Sequence, residues 1–285
     1  TDLYSAKFTT HGARIVSWRL KAYLDHDGYP QELIKAGNSG LGLSTSDLPP
    51  ESVDFVADIE SLMLYGSEQA ELTFRATVEG ALIEKRFRFQ GDRYRMDVTV
   101  ATPGFPRGSK VGLGWSGGLA DTEGSAEESS GFYSMSYDQI VTRAGEEVET
   151  WTLDRLEEEE TRPSGQVSWV AVRNKYFMAA LIPPEGRYDV DLGGWKESDS
   201  ALPDYRAELV SSADGGQLDY GIYIGPISYD LLRRQNVDLY GNERELQLDE
   251  FIEYAPFLRS ILHPIMKPFT IVILKSFLAL HEVVP

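Results

Sequence analysis

Residues 71–100 read "ELTFRATVEGALIEKRFRFQGDRYRMDVTV". Leu72, Phe74, Ala76 and Val78 alternate with polar neighbours in the first run. Ile83, Phe87 and Phe89 share one face of the second, with Lys85 the exception, and Tyr94, Met96, Val98 and Val100 alternate through the third. Successive side chains of a strand point to opposite faces, so a period of two marks half-buried strands. Gly80 and Gly91-Asp92 punctuate the runs as hairpin turns would. The spacing is about ten residues per strand, and many such strands predict an antiparallel sandwich or barrel.

The same texture extends over residues 1 to about 220. The most apolar stretch is "VSWVAVRNKYFMAALIPP" (167–184). Val167, Trp169 and Ala171 alternate, whereas "YFMAALI" runs unbroken, as in a strand buried on both faces. Asn174-Lys175 marks a turn or a bulge between two strands. Two segments rich in acid and turn formers, "SGGLADTEGSAEESSG" (116–131) and "LDRLEEEETRPSG" (153–165), read as solvated surface loops. Helix signals come late. "ISYDLLRRQN" fits a short helix with Ser228 as N-cap, and "ERELQLDEFIEYAPFLRSIL" fits a further helix, with Pro256 able to break it.

The 42% hydrophobic content supplies a substantial core. A formal charge of -18 argues against nucleic acid, whose phosphates need a basic face, and against broad attachment to anionic lipid. That charge is unevenly spread. Residues 256–285 hold three Lys/Arg and one Glu, a formal +2, while the rest holds 24 Lys/Arg and 44 Asp/Glu, a formal -20. The tail's longest uncharged run is Pro268 to Leu274, well below the roughly 20 apolar residues needed to span a bilayer. The chain starts at Thr1 rather than Met and is read as a piece of a longer protein.

The absence of cysteine removes disulfides, thiol nucleophiles and thiolate metal sites. No phosphate-cradling Gly-Lys-Ser/Thr loop occurs. The histidines, His11, His26, His263 and His281, have no metal-ligand spacing, and Glu157–Glu160 reads as a solvated run. No catalytic, metal or cofactor residue is therefore expected.

"TTHGARIVSWRLKAY" (9–23) resembles the opening of the aldose 1-epimerase (galactose mutarotase) family, whose "N-x-G-A-x-I" strand begins a large β-supersandwich. Those enzymes use a histidine acid and a glutamate base on their middle strands, and no histidine lies between His26 and His263 here. His11 reads as a strand-end residue.

Four stretches, in one order, resemble the periplasmic domain of the YidC/Oxa1/Alb3 membrane protein insertase family, Gram-negative type. "VSWVAVRNKYFMAALIP" is similar to that family's "W-x-a-x-x-x-k-Y-F-x-a-A-x-I-P", through Trp169, Tyr176 and Phe177. "YGIYIGPISYDLL" (220–232) is similar to its "Y-x-G-P-K-x-x-x-L", through Tyr223, Gly225 and Pro226, with Ile227 where the family has lysine. "GARIVSWRL", opening on Gly12, suits its first strands, and "FLALHEVVP" suits the linker into its second transmembrane helix.

The resemblance implies a mainly β fold, a large antiparallel, galactose mutarotase-like β-supersandwich over 1–250 with C-terminal α-helices. It implies an amphipathic connector over 251–285 leading toward a transmembrane segment. It also implies a domain at the periplasmic face of the inner membrane, without enzymatic activity or cofactor. Its implied partners are the Sec translocon (SecYEG and SecD–SecF) and nascent membrane proteins. The tail itself carries an apolar stripe, Phe257, Leu258, Ile261, Leu262, Ile265, Met266, Phe269, Ile273 and Phe277, with Arg259, Lys267 and Lys275 beside it. Such a stripe suits a helix covering the open end of the sandwich or, the reading its cations favour, one lying at the membrane interface. Two rival expectations are a carbohydrate-binding or epimerase-like supersandwich and a chaperone-like sandwich that holds unfolded segments on an edge or in an apolar cleft.

Overall fold

The computed structural model describes residues 1–45, 53–78, 80–120, 137–159, 162–196, 198, 203–212 and 216–250. Along the chain run β1 (Tyr4–Thr9), β2 (Arg14–Leu24), β3 (Pro30–Glu32), β4 (Ser39–Thr45), β5 (Val56–Ala57), β6 (Gln69–Val78), β7 (Ala81–Gln90), β8 (Arg95–Ala101) and β9 (Lys110–Ser116). Then come β10 (Gln139–Ala144), β11 (Glu147–Trp151), α1 (Leu153–Glu158), β12 (Ser164–Gly165), β13 (Val167–Arg173), β14 (Phe177–Ile182), β15 (Tyr188–Trp195), β16 (Asp204–Ser212), β17 (Gln217–Pro226) and α2 (Tyr229–Arg233).

Two sheets form. The first has the order β1-β2-β4-β9-β16-β15-β12, with β3 also on β2, and the second β11-β10-β13-β14-β17-β8-β7-β6-β5. The hairpins read from 71–100 are in register, from Gln69↔Gln90 to Val78↔Ala81 and from Glu84↔Ala101 to Phe89↔Met96. The sheets share one apolar core. Across it Phe8 of the first sheet meets Phe87 and Phe89 of the second edge-on, at 5.0 and 5.9 Å between ring centres. The result is the large antiparallel β-supersandwich that the alternation and the resemblance predict.

Lys85 lies on the inner face of β7 and is fully buried. Its Nζ donates to the carbonyls of Ala13 (3.0 Å) and Leu41, both on the first sheet's side and both at positive φ, 48° and 57°. The amine thus ties the two sheets together through backbone groups. Burial pushes its pKa down to about 7, with repulsion from Arg14 adding to the effect.

The structure departs from the sequence reading in four places. Residues 153–158 form α1 rather than a loop. The Thr152 hydroxyl accepts from the Arg155 amide as an N-cap, and Leu156 is buried. Arg155 stacks on Trp151 at 3.8 Å and pairs with Glu149 and Glu159, which offsets the acid run. The segment after β9 begins inside the fold. Gly117 and Gly118 donate to the Tyr205 carbonyl and Leu119 is buried, while residues 121–131 lie outside the described ones. Ser228 is at the N-cap of α2 but makes no side-chain bond there. Residues 243–250 are extended or turned rather than helical, because Leu246 and Leu248 are buried against the sheet and Gln247 sits at φ 52°. The tail candidates, Phe257 through Phe277, lie outside the described residues.

Candidate functional site

The two longest motifs, some fifty residues apart in sequence, are hydrogen-bonded neighbours. β14 pairs with β17 from Phe177↔Pro226 and Met178↔Gly225 to Ile182↔Gly221. Asn174 makes the turn before β14, its Oδ1 accepting from the amides of Tyr176 (3.0 Å) and Phe177 (2.9 Å). The Tyr176 carbonyl then accepts from the Ile227 amide at 2.7 Å, so the turn holds the chain as it leaves β17. The Tyr223 hydroxyl donates to the Pro226 carbonyl at 2.6 Å. Gly225 is required where it stands, since a Cβ there would lie 2.9 Å from the Tyr94 ring and 3.1 Å from the Tyr223 hydroxyl. Phe177 turns inward and meets Tyr23 of the first sheet edge-on at 5.3 Å.

From Pro226 the chain crosses back over the outer face of the second sheet through α2, a 3₁₀ turn (Arg234–Asn236) and residues 237–250. This strap is fixed by side chains that share that face. Arg95 pairs with Asp97 at 2.9 Å and donates to the Gln235 carbonyl at 2.7 Å, while Asp97 accepts from the Leu239 amide at 3.1 Å. Gly221 has no Cβ to obstruct Arg95, whose guanidinium would lie 2.4 Å from one. Trp169 Nε1 donates to the Leu246 carbonyl at 2.9 Å, and Asn236 Oδ1 accepts from the Leu246 amide at 3.0 Å. Arg143 lies 3.9 Å from Glu250, where the described chain ends. Burial raises the Asp97 pKa, against the pull of Arg95 and the Leu239 amide.

Trp169 thus bonds the strap directly, Tyr176, Tyr223, Gly225 and Pro226 shape its start, and Phe177 packs into the core instead. Gly12 is elsewhere. It takes φ 74° after β1, where its amide donates to the Val53 carbonyl at 2.8 Å. Beside it His11 meets Asp54 at 3.0 Å in an exposed pair. Sequence reading missed Arg95, Asp97, Arg143 and Asn236. The signal was present in "YRMDV", where a cation and an acid two residues apart share the face opposite Met96 and Val98.

The outer face of the first sheet carries a second feature that the sequence did not disclose. Glu208 of β16 reaches over Gly114 and Gly112 of β9 to accept from the Ser44 hydroxyl of β4. Burial, reinforced by Asp191, pushes its pKa up to about 7, with Arg206 opposing. Among the described residues this carboxyl has one hydroxyl partner and no cation bonded to it, and it acts as a cross-strand strut.

The sequence pattern of the family described as YidC periplasmic domain matches residues 1–269. Among curated relatives, the membrane protein insertase YidC of Chlorobaculum parvum is 31% identical over 258 residues, covering 84% of this chain and 43% of that protein. Those of Chloroherpeton thalassium and Syntrophus aciditrophicus are 29% and 27% identical, each over 93% of this chain and over 47% and 49% of their own lengths. The chain thus spans less than half the length of these relatives. Among solved structures, a galactose mutarotase related enzyme from Lactobacillus acidophilus is 10% identical over 80% of this chain and 96% of its own, with a TM-score of 0.46, a likeness that carries no argument. The family pattern runs from before β1, through both motifs and the strap, to residue 269: the chain belongs to the YidC periplasmic domain family.

Proposed function

We propose that this chain is the interaction and scaffold domain, on the periplasmic face of the bacterial inner membrane, of a YidC-type insertase. It has no catalysis of its own. It assists the insertion and folding of membrane proteins together with the Sec translocon, SecYEG and SecD–SecF. The observation that carries this reading is the family match over residues 1–269, which takes in the sandwich, the strap and the start of the basic tail. The strap supports it mechanically. It carries the described chain along the second sheet to Glu250, which lies 3.9 Å from Arg143. On this reading residues 251–285 form the connector between the sandwich and a membrane-embedded part. Their apolar stripe, with Arg259, Lys267 and Lys275, rests at the headgroup level.

Two experiments test the reading. The full-length protein, purified from its own membranes, is expected to bring SecD–SecF with it, and no association would count against the partner claim. Liposome flotation of this chain with and without residues 256–285 tests the tail. The longer chain is expected to float with anionic vesicles several-fold more, and equal partitioning would sink the interfacial assignment.

A further inference from the structure

At one end of the sandwich, loops from both sheets bring exposed aromatic and aliphatic side chains together. β1 and β14 begin there, and β2 and β17 finish there. The β2–β3 hairpin presents Leu24 (64% exposed) and Tyr29 (68%), and the segment before β6 presents Met63 (72%) and Tyr65 (58%). The turn between β13 and β14 presents Tyr176, and Tyr23 stands at the end of β2; both are partly exposed.

Contacts between these loops fix the arrangement. The Tyr23 ring meets Phe177 edge-on at 5.3 Å, which joins the hairpin to the start of β14. The Asp2 carboxylate accepts from the Gly66 amide at 2.7 Å, and the Asp2 amide donates to the Gly91 carbonyl at 3.1 Å. These bonds join the start of β1 to the segment that carries Tyr65 and to the turn after β7. Each loop is also held from within. Asp25 Oδ1 accepts from the amides of Asp27 (3.0 Å) and Tyr29 (2.9 Å), and Asp27 meets His26 at 3.2 Å. Glu68 accepts from the Tyr65 amide at 2.9 Å. The acids of the hairpin are thus engaged inside the turn, while Leu24 and Tyr29 on its two arms stand in water.

Single exposed apolar side chains are ordinary, but six at one end of a fold form a patch. Residue type and position select what covers it. Four of the six are tyrosines, which carry an apolar ring under a polar hydroxyl and collect where hydrocarbon meets water. Lys21 lies two residues before Tyr23, and Lys175 Nζ is 5.0 Å from the centre of the Tyr176 ring. Lysines so placed lay their stems along apolar surface and carry the ammonium outward to phosphate level. The six are strand ends and loop tips that project from the end of the sandwich, so a flat, extended layer meets them together.

We propose that this end of the sandwich rests in the headgroup layer of a phospholipid bilayer. Leu24, Tyr29, Met63 and Tyr65 enter the layer, with Tyr23 and Tyr176 behind them and Lys21 and Lys175 at its phosphates. The proposal rests on the insertase reading, which brings a bilayer to this domain, but it is independent of residues 256–285. Apolar burial drives the contact rather than net charge, because the residues outside 256–285 sum to a formal -20 and anionic lipid repels them.

The test uses the full-length protein reconstituted in vesicles of phosphatidylethanolamine and phosphatidylcholine. This chain has no cysteine, so single ones can be introduced once any in the remainder are replaced by serine. Leu24→Cys and Tyr29→Cys are labelled with an environment-sensitive fluorophore, and Arg107→Cys, in the exposed loop between β8 and β9 at the opposite end, serves as reference. Emission at 24 and 29 is expected to be blue-shifted against 107, and several-fold more quenched by lipids with a nitroxide on the headgroup. Phosphatidylglycerol in place of part of the lipid is expected to leave that quenching no stronger. In the Leu24→Asp/Tyr29→Asp variant, which changes exposed positions only, a label on Tyr65→Cys is expected to lose most of its quenching. Equal quenching at both ends, or an unchanged label at 65 in the double variant, would overturn the proposal. A blue shift without quenching by lipid would overturn it as well, since it marks a protein surface covering this end. Alkaline extraction separates the two readings. Retention in the membrane with unquenched labels sinks this proposal alone, whereas release of the full-length protein sinks the insertase reading and this one with it.

Discussion

Lys85 and Glu208 make stability depend on pH in opposite directions. Lys85 releases its proton near pH 7 in the fold, against an ordinary value of 10.5. Between those values the unfolded chain binds more protons, so this residue's contribution to stability rises with pH. Glu208 keeps its proton up to about pH 7 in the fold, against an ordinary 4.5. Over that window the folded chain binds more protons, and its contribution falls as pH rises. Together the two groups place a stability minimum near neutrality. Denaturant midpoints should show it. Glu208→Gln should remove the fall between about pH 5 and 7 and unfold later than the parent at about pH 8. Lys85→Met should cost about 1–3 kcal/mol by orphaning the carbonyls of Ala13 and Leu41. It should also remove the rise above about pH 7. Parent-like pH profiles in both variants would contradict these assignments. Neither residue's role was legible beforehand. Lys85 broke the alternation of "IEKRFRF", but the carbonyls that receive it come from segments more than forty residues away. Glu208 depends on two glycines in a different strand.

The strap is the element on which the site depends. Its anchor of highest consequence is the buried Arg95–Asp97 pair. Arg95→Met leaves the Asp97 carboxylate buried without its cation and should cost about 3–5 kcal/mol. The Arg95→Met/Asp97→Asn double variant should recover a substantial part of that loss, which calorimetry or denaturant unfolding can measure. Equal destabilisation in both variants would show that the charge pair is not what holds the strap. At this scale the sequence was informative where a period was clean. The hairpins of 71–100 were legible because alternation and glycine turns agree with the pairing they adopt. α1 was not, because an acidic run gives no sign of the Trp151 ring and the two glutamates that hold Arg155 over it. Residues 243–250 were misread as helix because their helix-forming composition says nothing of Trp169 and Asn236, which take the Leu246 backbone.

At the scale of the molecule, two packed sheets, a strapped outer face and an acidic surface describe a domain that presents surfaces. The fold was legible in outline from periodicity, and the family from motifs that the structure brings together at β14 and β17. The proposed role is that of an interaction platform through which a YidC-type insertase engages the Sec machinery. The most direct test is quantitative co-purification of SecD–SecF with the full-length protein and with a version lacking residues 1–250, expressed at equal levels in the native membrane. The account predicts that SecD–SecF recovery falls by at least about tenfold without the domain. Recovery that is equal with and without it would contradict the account.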